Sequence, residues 1–123
     1  EALRPGHWVA NPYNWHAVGS FVRRMPWDSV ALHIDEPNYD ANARLLAFRR
    51  PDGRVTIVLS NRSADSPRAF DLATGLDRAK WKGSRYTPDD AGKNLDGIPA
   101  GERSGAAFQV TLPPRSWEFW EQQ

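Results

Sequence analysis

Apolar residues in this chain recur mostly at a spacing of two, in short runs broken by proline, glycine and asparagine. The densest stretch is Leu45 to Ser60, where two apolar runs, Leu45 to Phe48 and Val55 to Leu59, flank Pro51-Asp52-Gly53. Proline presets one turn dihedral and glycine accepts a positive φ, so the stretch predicts a β-hairpin. In its second arm Val55, Ile57 and Leu59 alternate with Thr56, Val58 and Ser60. One face is wholly apolar and the other only partly polar, which predicts an interior strand of a layered sheet.

Either side of the hairpin the period changes once. Residues 1–12 hold two prolines and a glycine without periodicity, which predicts an extended lead-in docked through Trp8 and Val9. Asn11-Pro12 is a helix-start signal, and from there Trp15, Val18, Phe21 and Val22 share one helical arc with Gly19. His16, Ser20, Arg23 and Arg24 fall on the other arc. An amphipathic helix over 13–24 follows, its apolar arc predicted to face the core, and Met25-Pro26-Trp27 ends it. From Asp28 the period is two again: Val30, Leu32 and Ile34 predict a half-buried strand, followed by a polar loop over 36–42. Beyond the hairpin, 68–73 alternates with Phe70 and Leu72 inward, and 81–87 is a weaker strand. Residues 88–105 are polar and predict a long loop. Strands resume at 107–112 and, after Pro113-Pro114, at 116–120, with Trp117 and Phe119 on one face and Glu118 and Trp120 on the other. The whole predicts an all-β fold, an antiparallel sandwich of about seven strands over 28–120 with one N-terminal amphipathic helix, in a single domain spanning 1–123. Crossovers long enough for parallel pairing are missing.

Composition narrows the function classes. At 123 residues the chain can bury about two-thirds of the surface its unfolded form exposes. It has no cysteine, which removes disulfides, thiolate metal sites and a thiol nucleophile. Sixteen basic residues against fifteen acidic give a net charge of +1, far from the excess that nucleic-acid binding requires. No apolar run approaches the roughly 20 residues that span a bilayer, so neither nucleic acid nor membrane is an expected partner. A start at Glu1 without methionine predicts a piece of a longer protein or a processed product.

Reactive groups do not assemble into a motif. His7, His16 and His33 fit no metal-ligand spacing, and no metal site is expected. Asp35, Glu36, Asp40, Asp89, Asp90 and Asp96 lack the spacing of a calcium loop or of a glycosidase pair, so solvated loops and no cofactor are expected, with a structural calcium the one alternative kept open. No serine sits in a Gly-x-Ser-x-Gly elbow, so no catalytic residue is assigned. Asn61-Arg62-Ser63 matches the N-glycosylation sequon. What stands out is six tryptophans. Trp8, Trp27, Tyr39, Trp81, Tyr86 and Trp120 lie in loops, at strand edges or opposite the core face. They are the candidate ligand-binding residues, flat rings that stack on sugar C–H faces while nearby polar groups take the hydroxyls.

Three stretches carry a family resemblance: YNWHAVGSFVRRMPWDSVAL, LLAFRRPDGRVTIVLSNRS and VTLPPRSWEFW. Together they resemble the β-sandwich domain that follows the catalytic barrel in retaining glycoside hydrolases of the glucosylceramidase and glucuronoxylanase type. In such enzymes a last barrel helix ends in a glycine-x-phenylalanine turn into a strand, as at Gly19 to Phe21 and Asp28 to Ile34. The Asp-Gly hairpin matches Ala47 to Asn61, and the closing Leu-Pro-x-x-Ser before aromatics matches Leu112 to Trp120. The resemblance implies a non-catalytic module, similar to a carbohydrate-binding module, in an extracellular or periplasmic enzyme. Its partners would be a plant-type polysaccharide or oligosaccharide and the catalytic domain of the parent chain. Two other readings stay open: a purely structural domain packed on a missing barrel, and a small metal-dependent polysaccharide-active enzyme using the histidines.

Overall fold

A computed structural model describes residues 12–87 and 96–123, with side chains from residue 17 onward. Helix α1 spans Pro12–Arg24. Eight strands follow among the described residues: β1 Val30–Ala31, β2 Ala43–Arg49, β3 Val55–Asn61, β4 Arg68–Ala73, β5 Lys80–Tyr86, β6 Ile98–Ser104, β7 Ala107–Leu112 and β8 Ser116–Gln122. Six of them form one antiparallel sheet in the order β1-β2-β3-β8-β5-β6, and β4 pairs with β7 in a second. The all-β sandwich with one N-terminal helix is the architecture the sequence predicts, and no described helix is long and apolar enough to cross a membrane.

The β2–β3 hairpin sits where the turn chemistry put it. Arg49 pairs with Val55, Gly53 turns at φ 85°, and the Asp52 carboxylate accepts the Arg54 amide at 2.9 Å. β3 and β8 are the middle strands, and both of their faces are covered. On the inner face Ile57, Leu59 and Trp120 pack with Ala47 and Trp81 against Phe70, Leu72, Val110 and Leu112 of the two-stranded sheet. On the outer face Phe48, Val58, Tyr86 and Phe119 form a second cluster, with Phe21 of α1 and Trp117 against it. Each fully buried large side chain there stabilises by about 1.5–3 kcal/mol relative to exposure.

Asn61 fastens the two sheets at one end. Its side-chain nitrogen lies within 2.8–3.1 Å of the carbonyls of Ser66, Leu112 and Pro113, and its oxygen accepts the Ser63 amide. The residue is buried, so the sequon there presents no accessible nitrogen to a glycosyl donor.

Two elements differ from the predicted ones. β1 is only two residues long. Leu32 and Ile34 keep the expected half-buried alternation, but beyond Leu32, whose amide still donates to the Ala47 carbonyl at 2.9 Å, the ladder stops. Conversely β6 lies within the stretch expected to be loop. It is an edge strand with one neighbour and most residues exposed, so its pairing with β5 needs no apolar alternation. Its Gly101 takes φ 105°, and the register shifts between Gly83 and Ser84 opposite.

Candidate functional site

The six ring candidates separate by burial. Trp120, Trp81 and Tyr86 are 0%, 1% and 4% exposed, so they are not surface rings. Trp120 is enclosed because β8 is a middle strand with the β4–β7 sheet beneath it. Its ring meets Phe108 at 5.7 Å and the Arg103 guanidinium at 5.2 Å, and its indole N–H donates to Glu118 at 2.8 Å. Gly83, directly opposite, leaves room for the ring: a Cβ there would fall 2.7 Å from Trp120. Trp81 packs on Phe108 at 5.7 Å, and Tyr86 stacks on Trp117 at 5.6 Å with its edge on Phe119. Trp8 lies outside the described residues. Trp27 and Tyr39 remain, 94% and 72% exposed. Tyr39 carries the Arg44 guanidinium 4.7 Å over its ring, and Arg44 is paired with Glu36 at 3.2 Å.

The orientation of α1 corrects a second expectation. Ala17, Ser20, Phe21 and Arg24, at i, i+3, i+4 and i+7, turn toward the sheet, whereas Val18, Val22 and Met25 are exposed. Of the predicted apolar arc, Phe21 packs inward, edge-on to Phe119 at 5.1 Å, and the side chain of Trp15 lies outside the described residues. The polar arc supplies what the sheet needs instead. Ser20 accepts the Trp117 indole N–H at 3.1 Å and donates to the Ala17 carbonyl at 2.8 Å. Arg24 lies over the rings of Tyr86 and Phe119 at 5.8 and 5.6 Å. Its guanidinium donates to the Tyr86 hydroxyl at 3.2 Å, to the Asp96 carbonyl at 2.5 Å and to the Glu121 carboxylate. Planar, permanently charged and rich in donors, arginine is suited to this site, where it bonds three groups and stacks on two rings.

The consequence is an apolar stripe facing outward. Val18, Val22, Met25, Pro26 and Trp27 line a shallow groove of about 700 Å³ along α1 and the turn after it, with Phe21 at its floor. Met25 closes the helix through its amide on the Phe21 carbonyl at 2.8 Å, and Asp28 then turns at φ 66°, holding Trp27 clear of the body. Contiguous exposed apolar surface of this kind marks an interaction face. Sequence reasoning missed it because it assigned that arc to the core. The residue types at Ser20 and Arg24, a hydroxyl and a guanidinium opposite an aromatic strand, were the available signal.

Among the described residues no three His, Cys, Asp or Glu side chains come together as a metal site. His33 and Asp35 pair at 3.3 Å on the open surface. His7 is outside the described residues, as is the side chain of His16.

Residues 28–118 match the family model of the glycosyl hydrolase family 30 beta sandwich domain. α1 precedes the matched region. A search of curated proteins finds no match. Among solved structures the chain is similar to the catalytic domain of a GH30 xylanase C from Talaromyces cellulolyticus, at 18% identity and TM-score 0.65, covering 85% of this chain and 22% of that one. A GH30 endoxylanase from Clostridium papyrosolvens is similar at 12% identity and TM-score 0.67, with coverage of 88% and 27%. A GH51 arabinofuranosidase from Xanthomonas axonopodis pv. citri shares the fold at TM-score 0.54 and 19% identity, over 74% of this chain and 21% of that one. The chain spans about a quarter of the length of the two xylanases.

Proposed function

This chain belongs to the glycosyl hydrolase family 30 β-sandwich domain family, and from that premise we propose that it is a non-catalytic accessory module that docks on the catalytic domain of its parent enzyme through the exposed face of α1. The observation that carries this reading is the inverted helix. Ser20 and Arg24 fix α1 to the sandwich, while Val18, Val22, Met25 and Trp27 are left for another body. α1 stands outside the family match and the matched region is about a quarter of each similar xylanase, so most of a parent enzyme would lie beyond it. The reading needs neither cofactor nor metal, and it goes with an extracellular or periplasmic enzyme.

A second reading, contact with polysaccharide by ring stacking, is supported by Tyr39. Its ring is exposed, is steadied by Arg44 on one side, and is not among the residues of the groove. Trp27 serves either reading.

The test is a Val22→Ser, Trp27→Ser double variant of the 123-residue chain. Docking predicts that the unmodified chain self-associates or binds a hydrophobic dye and that the variant loses this with its melting temperature unchanged. Unchanged association, or a melting loss typical of a core substitution, would overturn the reading. Retention on a glycan gel that Tyr39→Ala abolishes would add the second role.

A further inference from the structure

On the outer face of the large sheet, beside the end of α1, Arg24, Arg50, Arg54 and Lys82 converge on a polar cleft of about 490 Å³ in which, among the described residues, two carboxylate side chains stand, Glu121 and Asp96. We infer that this cleft is a binding site for an oxyanion, a carboxylate or sulfate group. This goes beyond the docking proposal and does not depend on it.

The argument is one of charge against available partners. Lys82 stands directly across from Glu121 in the β5–β8 ladder, where opposite charges on one face are in reach of each other. That carboxylate is already taken. One oxygen accepts Arg24 and the other lies 3.5 Å from Arg50, whose second nitrogen donates to the Gln122 carbonyl at 2.6 Å. The Asp96 carboxylate is held by Arg23 at 3.1 Å. Among the described residues the side chains of Arg54 and Lys82 therefore have no hydrogen-bond or ion-pair partner. Arg24, Arg50 and Glu121 are mostly buried, so their positions are fixed, and Arg50 also has the Asp52 carboxylate at 3.6 Å; the uncompensated charge is that of Arg54 and Lys82, both exposed at the rim of the cleft. Concave surfaces lined by one sign of charge focus the field and concentrate counter-ions, and charge-assisted hydrogen bonds to an oxyanion are the strong kind. The Ser84 hydroxyl in the lining is a further donor.

The test uses the chain with a short Gly-Ser extension after Gln123, so that no terminal carboxylate competes in the cleft. Its amide spectrum is followed while sodium sulfate, polygalacturonate or dextran is added at constant low ionic strength. Saturable shifts at residues 82–84 and 121–123 are expected with an anion and not with dextran. An Arg54→Ser, Lys82→Ser double variant is expected to weaken the binding at least about fivefold with its melting temperature kept. Preference for sulfate marks a free-ion site, and preference for polygalacturonate at equal anion concentration marks a polymer-borne carboxylate. Shifts that never saturate, or binding unchanged in the double variant, would overturn the inference.

Discussion

The large sheet is covered on both faces, and the two coverings are built on opposite principles. Beneath it, β4 and β7 close a largely apolar interior in which Phe70, Leu72, Val110 and Leu112 meet Ile57, Leu59 and Trp120, and one buried carboxylate, Glu118, satisfies both the Trp120 indole and Arg85. Above it, one helix is attached by a few aromatic contacts and a set of polar bonds at Ser20 and Arg24, with Val18 and Val22 turned away. The first side is finished within the chain. On the second an apolar face is left exposed, the face we propose to dock, and the same residue type differs between the two: Trp120 is buried in the sandwich, whereas Trp27 is 94% exposed.

Substitutions can set this contrast in numbers. Trp120→Ala is expected to have the largest effect, about 3–5 kcal/mol in chemical denaturation, because it empties the interior beside Phe108 and takes the indole donor from one oxygen of the buried Glu118 carboxylate. Equal losses from Trp27→Ala would erase the distinction between the two sides. Gly83→Ala comes next, at about 1–3 kcal/mol, since its methyl group would press on the same indole from the neighbouring strand. A smaller loss, about 1–2 kcal/mol, is expected for Arg24→Ala, and it sharpens the comparison in a different way. It should loosen α1 before the sandwich melts, so that helical signal is lost at lower denaturant than tryptophan fluorescence.

Much of this was legible in the sequence, and the failures share a cause. Alternation in β4 and β7, the apolar run of β3 and the Asp-Gly turn are local signals, and the chain obeys them. Which face of an amphipathic element meets its neighbour is not local. The local pattern places the apolar arc of α1 inward and Trp120 opposite the core face, whereas Val18 and Val22 are exposed and Trp120 is buried. The apolar character of both faces of β3, the strand that pairs with β8, already indicated a sheet covered twice. β6 was missed for the converse reason, since an edge strand with most residues in water carries no hydrophobic period.

The claim on which the account turns is that the outward face of α1 belongs against another body. Hydrogen exchange of residues 18–29, compared between the 123-residue chain and its parent enzyme, measures this directly. The account predicts markedly slower exchange there in the parent enzyme, with the hairpin turn at 50–54 exchanging equally in both. Identical exchange across 18–29 would contradict it.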